Sequence, residues 1–322
     1  MSDLFDSFGR RINYLRISVT DRCNLRCIYC MPPEGVPAIP HSELLSYEEI
    51  TTVVQAAAGL GINKIRLTGG EPLVRAELPK LIQMLCQTKG IDDVSLTTNG
   101  TLLKKRALEL KQAGLGRINI SLDTLDGDKF RQITRLGELK DVLDGIKAAR
   151  EAGLNPVKIN TVVIHGINDD EILELTSMTC KEGWHVRFIE LMPFADVTGI
   201  VPCSEIRQRI GPLGSLEPCC LIGNGPARYY RLPGAKGTIG FICPVSEPFC
   251  SQCNRLRLTS SGQLCPCLLS EEGIDLKRPL RSNASMQQIE RLILKAIASK
   301  PKQHHLAQGT VHMKRNMSRI GG

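Results

Sequence analysis

The chain has 322 residues, 42% of them hydrophobic, which suits a large folded α/β domain with a smaller appendage and excludes a disordered polymer. No stretch approaches eighteen uncharged apolar residues and the opening MSDLFDSFGR lacks an apolar core, so neither a membrane span nor export is expected, and the cytoplasm is the default compartment. The net charge of +8 would suit a nucleic acid, but only 4% of residues are aromatic, few for stacking on bases, and a small polyanion accounts for the same charge.

From Tyr14 to Met192, β-branched runs alternate with charged, helically periodic segments. The pattern predicts strands at Leu15–Thr20, Lys64–Leu67, Val94–Thr98, Arg117–Asp123, Val157–Ile164 and His185–Leu191. Between them it predicts helices, one opened by Ser46 with Glu48 and Glu49 in its first turn and one from Glu138 to Ala152 stopped by Gly153. Six βα units are too few for the usual eight-stranded closure, so the expected fold is α/β, a partial (β/α)6 TIM-like barrel with an open side.

The strands alternate in phase. One face carries Leu15, Ile17, Ile65, Leu67, Val94, Leu96, Ile118 and Ile120, and the other carries Arg16, Arg66, Thr97, Arg117, Asn119, Ser121 and Lys158. Parallel strands are normally apolar on both faces, so a polar face in five strands running points to a solvated, cationic lumen rather than a packed one. The sixth strand is less regular, because Arg187 and Met192 fall in opposite phases.

After Phe194 the sequence turns to Gly, Pro and Cys, which divides the chain into a barrel, 1–194, and a C-terminal region, 195–322. That region includes a predicted helix at Met286–Ser299 and a terminal tail, His304–Gly322.

Thirteen cysteines in such a chain point to reduced thiols and metal rather than a disulfide framework. Cys23, Cys27 and Cys30 form C-x3-C-x2-C just after the first strand, a triplet expected by chance only ~0.02 times at this cysteine frequency. Zinc wants a fourth ligand, and none lies nearby. Three thiolates suit a [4Fe–4S] cluster with one iron open to the amino and carboxylate groups of S-adenosylmethionine (SAM). The Gly69-Gly70 pair after the second strand would let backbone approach that ligand. Cys250, Cys253, Cys265 and Cys267 suit either a closed zinc site or a second cluster, and spacing does not decide between Cys265 and Cys267. Arg255 and Arg257 project the same way if extended, a pair fit for phosphate or carboxylate. Cys86, Cys180, Cys203, Cys219, Cys220 and Cys243 read as small buried hydrophobes or bystanders.

The segments LRISVTDRCNLRCIYCMP, KIRLTGGEPLVR, LTTNG, INISLDTL, VKINTVV, VRFIELMP, FCSQCNRLRLTSSGQLCPCL and MSRIGG together resemble the GTP 3′,8-cyclase family of radical SAM enzymes, which open molybdenum cofactor biosynthesis. The resemblance implies two [4Fe–4S] clusters, the second on Cys250, Cys253 and Cys267 with its open iron touching guanine. It implies SAM contacts from Tyr29, Gly70, Ser121 and Met192, and GTP contacts from Arg16, Arg66, Thr97, Lys158, Arg187, Arg255, Leu256 and Arg257. Gly321 and Gly322 would thread into the cavity and complete it. A reducing electron donor and cyclic pyranopterin monophosphate synthase, as recipient of the product, are the implied partners; no nucleic acid or membrane is among them. The rival readings are a radical SAM peptide-maturation protein, against which the cationic strand face argues, and a zinc-stabilised nucleic-acid-binding module.

Overall fold

The computed structural model describes residues 4–194, 197–270, 272–304 and 317–321. The first half alternates as expected: β1 (Tyr14–Ser18), α1 (Tyr47–Gly59), β2 (Lys64–Thr68), α2 (Leu78–Cys86), β3 (Asp93–Thr98), α3 (Ala107–Gln112), β4 (Arg117–Ser121), α4 (Gly127–Thr134), α5 (Leu139–Glu151), β5 (Val157–Val163), α6 (Ile172–Lys181) and β6 (His185–Glu190). The second half continues with α7 (Cys203–Ile210), β7 (Glu217–Cys219), β8 (Arg228–Arg231), β9 (Thr238–Ile242), β10 (Arg255–Leu258), β11 (Gln263–Cys265), β12 (Ile274–Asp275), α8 (Lys277–Arg281), α9 (Met286–Ala298) and α10 (Met317–Ile320).

Local chemistry sets these boundaries. The Ser46 hydroxyl accepts from the Glu49 amide while the Glu49 carboxylate accepts from the Ser46 amide, a capping box that starts α1. Ser285 and Gln288 repeat the device at α9. Gly153, at φ +73°, ends the turn after α5 in a conformation that costs other residues energy.

All twelve strands among the described residues belong to one sheet, in the order β12-β11-β10-β1-β2-β3-β4-β5-β6-β9-β8-β7. The run from β10 through β1–β6 to β9 is parallel throughout, so eight parallel strands stand side by side where six were expected. The sheet's two ends, β12 and β7, do not meet, and the barrel stays partial. Both added parallel strands come from the C-terminal region, one at each end of the original six. The chain between them, 243–254, therefore runs from one end of the parallel set to the other.

The apolar phase of each strand faces the helices. Leu15, Ile17, Ile65, Leu67, Leu96, Ile118, Ile120 and Ile159 are fully buried against Ile50, Val53, Leu81, Val142 and their neighbours, in a core that also takes in Phe188, Phe241, Leu256 and Leu258. Each such side chain contributes about 1.5–3 kcal/mol on burial. The phase conflict in the sixth strand disappears, because β6 ends at Glu190 and leaves Met192 outside it. Arg187 stands opposite Asn160 and Gly240 on the lumenal face. No helix among the described residues is long and apolar enough to cross a membrane.

One expectation is overturned. Cys203 and Cys243 are not bystanders but a buried disulfide pair with Cα atoms 6.0 Å apart. The Glu190 carboxylate draws their segments together by accepting from the amides of Cys203, Val245 and Ser246, which brings the first residue of α7 against the residue following β9.

Candidate active site

The lumenal strand face encloses a cavity of about 310 Å³. Cys23, Cys27 and Cys30 line it from the loop after β1, and Cys250, Cys253 and Cys267 line it from the second half. The first loop is pinned to the C-terminal end of α4, where the Arg26 and Ile28 amides donate to the carbonyls of Thr134 and Ile133. Its sulfurs are approached by polar groups: the Leu25 amide lies 3.4 Å from Cys23 Sγ and Asn99 Nδ2 3.9 Å from the same atom. The Gly-Gly loop lies directly against it, with the Gly70 amide donating to Thr20 and the Glu71 amide to Arg22. A Cβ on Gly70 would strike the Arg22 carbonyl and come within 2.8 Å of that of Asp21. The backbone that needs this glycine is the cysteine loop itself.

The donor sets test what they can hold. A single tetrahedral zinc places its sulfurs about 3.8 Å apart. Among the described residues, the one group of three ligand atoms within 4.8 Å of one another is Glu190, Cys203 and Cys243, whose sulfurs are bonded to each other and whose carboxylate is taken by amides. Neither cysteine triplet, nor any three of Cys250, Cys253, Cys265 and Cys267, closes to that distance. Neither set is drawn in around a single tetrahedral zinc. Cys265 is buried away from the cavity, its sulfur 3.0 Å from where a Cβ on Gly273 would stand, whereas Cys267 lines the lumen.

Tyr29, Gly70, Ser121 and Met192 all line the cavity on the side of the first triplet. Tyr29 donates to Asp123 Oδ2 at 2.6 Å, and the other oxygen of Asp123 accepts from the Val162 amide. Burial pushes the Asp123 carboxyl up to about 6, against those two hydrogen bonds.

Toward the opposite end of the strands the lumen is cationic. Register places Arg16 between Arg66 and Arg257. Burial, reinforced by the neighbouring guanidinium groups, pulls Arg16 and Arg66 below the usual arginine range and Arg257 down to about 10. Of the cations here Arg117 is neutralised, by Asp93 at 2.8 Å. Arg187 donates to Asn119 Oδ1 at 2.6 Å but its Nε has no partner among the described residues, nor has the hydroxyl of Tyr14. Gly240 makes room for Arg187, since a Cβ there would lie 2.8 Å from Arg187 Cγ. Lys158 donates to the carbonyl of Ile222 and lies 5.3 Å from the centre of the Tyr229 ring. Burial, then the charges of Arg187 and Arg117, bring it down to about 6. Buried positive charge of this density is a site for a polyanion.

The chain's last described residues enter the same space. Gly321 is buried at φ +73°, and its carbonyl accepts from Arg257 and, at 3.5 Å, from Arg16.

Residues 17–178 match the radical SAM superfamily and residues 184–306 match molybdenum cofactor synthesis C. A GTP 3′,8-cyclase of Pelotomaculum thermopropionicum is 54% identical over 324 residues, covering 98% of this chain and 99% of its own. One from Desulforamulus reducens is 52% identical over 328 residues, covering 99% and 100%. The chain belongs to the GTP 3′,8-cyclase family. In fold, this cyclase family member is similar to Streptococcus suis SuiB bound to SAM, with a TM-score of 0.61 at 18% identity, covering 92% of this chain and 67% of SuiB. Radical SAM membership brings a [4Fe–4S] cluster and SAM, and the first triplet's spacing and exposure to the cavity fit both.

For a cyclase of this family, the expected nucleotide residues divide by position. Arg16, Arg66, Thr97, Arg187, Arg255 and Arg257 line the cavity. Lys158 lies behind it, under the 221–224 segment. Leu256 turns its side chain into the core and is not among the residues lining the cavity. Gly322 lies outside the described residues. Sequence reasoning missed Tyr14, two residues before Arg16 on the same face, and gave Asn99, beside Cys23 near the end of the LTTNG segment that runs off β3, no site role. It also missed Lys300, which no motif marks.

Proposed function

We propose that this chain converts GTP to 3′,8-cyclo-7,8-dihydro-GTP with SAM, the first step of molybdenum cofactor biosynthesis, using two [4Fe–4S] clusters held by Cys23, Cys27, Cys30 and by Cys250, Cys253, Cys267. When bound, the first cluster and SAM supply a 5′-deoxyadenosyl radical, and the ribose 3′ hydrogen of GTP is its target. One observation carries the reading: both triplets and the buried guanidinium wall line a single cavity of about 310 Å³.

The chain's own groups do the positioning. Arg16, Arg66, Arg187 and Arg257, with Lys158 behind them, hold the triphosphate at the cationic end. Tyr29, Gly70, Ser121 and Met192 hold SAM at the other end, and Thr97 stands between. Arg255 and the main chain of Leu256 steer guanine toward the second triplet. A primary radical reacts with whatever lies within van der Waals reach, so fixing the ribose and excluding water are the protein's main contributions. Gly321, placed against Arg257 and Arg16, closes the lumen and keeps those cations aimed inward.

Residues 1–194 supply the first triplet and six of the parallel barrel strands, and 195–322 supply the second triplet and the Gly-Gly tail, in a cytoplasmic enzyme supplied by a reducing electron donor. Its product passes to cyclic pyranopterin monophosphate synthase. Anaerobic incubation with SAM, GTP and a strong reductant yields 5′-deoxyadenosine and a cyclised nucleotide together; appearance of the first alone refutes the substrate assignment.

A further inference from the structure

Two buried cations flank the second cysteine triplet, and neither is among the residues assigned to GTP or SAM. Lys300, which follows α9, is 3% exposed. Its ammonium donates to the carbonyl of Arg255 at 2.8 Å and to that of Pro266 at 2.7 Å. Arg10, from the N-terminal turn, is 7% exposed and held by Asp6 at 2.6 Å. It donates to the carbonyls of Cys250 at 2.9 Å, Lys302 at 3.1 Å and Pro301 at 2.8 Å.

These contacts have a common pattern. The three stretches that carry the triplet are Cys250, Cys253 with the following strand β10, and Cys267 after Pro266. They share no regular hydrogen-bond ladder with each other except where β10 meets β11. Each is instead tied by a main-chain carbonyl to Arg10 or Lys300, and the two cations are joined through the short segment 300–302. Removing a long side chain from water costs several kcal/mol unless its charge is met. Carbonyl dipoles meet part of it. Arg255 Nη2, 3.6 Å from Cys253 Sγ, adds a third positive group from the lumenal side.

We propose that Lys300 and Arg10 are positioning residues for the second cluster, clamping its three cysteine segments by their carbonyls and setting positive charge behind the thiolates. The inference rests on the reading that Cys250, Cys253 and Cys267 hold a cluster. Positive charge beside an iron–sulfur core favours its reduced state. Loss of Lys300 therefore lowers the second cluster's reduction potential, or loosens the segments enough to lose the iron, while the first cluster is untouched.

The test compares wild type with Lys300→Met, which keeps the side chain's length and removes its charge, and with the exposed control Lys302→Met, all reconstituted anaerobically. Iron content, the electron paramagnetic resonance spectrum under stepwise reduction, and SAM cleavage without GTP are measured. Wild type and the control hold about eight irons. Lys300→Met either falls to about four or keeps eight with the second signal shifted to lower potential, at unchanged SAM cleavage, and Lys300→Arg restores part of the effect. Eight irons with an unshifted second signal in Lys300→Met overturns the proposal. Only four irons in wild type overturns the two-cluster reading beneath it. If Lys300→Met is insoluble, Arg10→Lys, which keeps the charge but shortens the reach, replaces it, and an unaltered second signal there also overturns the proposal.

Discussion

Gly321→Ala asks whether the tail's last described residue works inside the lumen. The native φ of +73° costs an alanine about 1–2 kcal/mol. The new Cβ would also overlap Thr68 Oγ1 and stand 3.3 Å from Ser18 Cβ, with both partners fixed in strands, and such overpacking costs about 1–3 kcal/mol. Together, about 2–5 kcal/mol opposes the inserted state, a loss of roughly 30- to 4,000-fold in its population at about 1.4 kcal/mol per tenfold. Cyclisation measured by chromatography of the nucleotide product falls accordingly, while SAM cleavage without GTP persists. Adding Thr68→Ala removes the worst overlap and leaves chiefly the backbone cost, so the double variant recovers to within about five- to thirtyfold of Thr68→Ala alone. Wild-type cyclisation by Gly321→Ala refutes the placement of the tail.

Three other variants test the rest of the cavity. Gly70→Ala drives a Cβ into the carbonyl backbone of the cysteine loop, so SAM affinity drops at least tenfold at equilibrium; an unchanged dissociation constant contradicts the loop packing. Arg257→Ala spoils GTP turnover but leaves SAM cleavage in its absence largely intact, and equal loss of both contradicts its assignment to the substrate wall. Lys158 lies near 6 when folded against an ordinary 10.5, so between those values the unfolded chain holds the extra proton, and stability rises with pH by up to about 1.4 kcal/mol per unit from this group. Lys158→Met removes that slope. A triphosphate restores the charge, so GTP binding at pH 8 takes up close to one proton by calorimetry in buffers of different ionisation enthalpy; zero uptake contradicts the site.

The barrel was readable because its lumen is polar. Alternation at Arg16, Arg66, Asn119 and Lys158 is the local consequence of a strand with one face in a cavity, and period-two patterns survive in sequence. Strands β9 and β10 were not readable as barrel strands. Thr238–Ile242 and Arg255–Leu258 are short, set among turn residues, and pair with β6 and β1, the latter some 240 positions away in the chain. The Cys203–Cys243 bond has the same origin, since nothing local announces that Glu190 brings its two segments together. Arg255 and Arg257 were expected on one side of an extended segment, and β10 places them so. The opposite phase of Leu256 follows from the same alternation, which puts its side chain in the core.

The central claim is that this cavity aims a radical at the ribose of GTP. GTP carrying deuterium at the 3′ position, incubated anaerobically with SAM and reductant, tests it most directly. The account predicts one deuterium in the 5′-deoxyadenosine and none at that carbon in the cyclised product; unlabelled 5′-deoxyadenosine formed alongside product would contradict it.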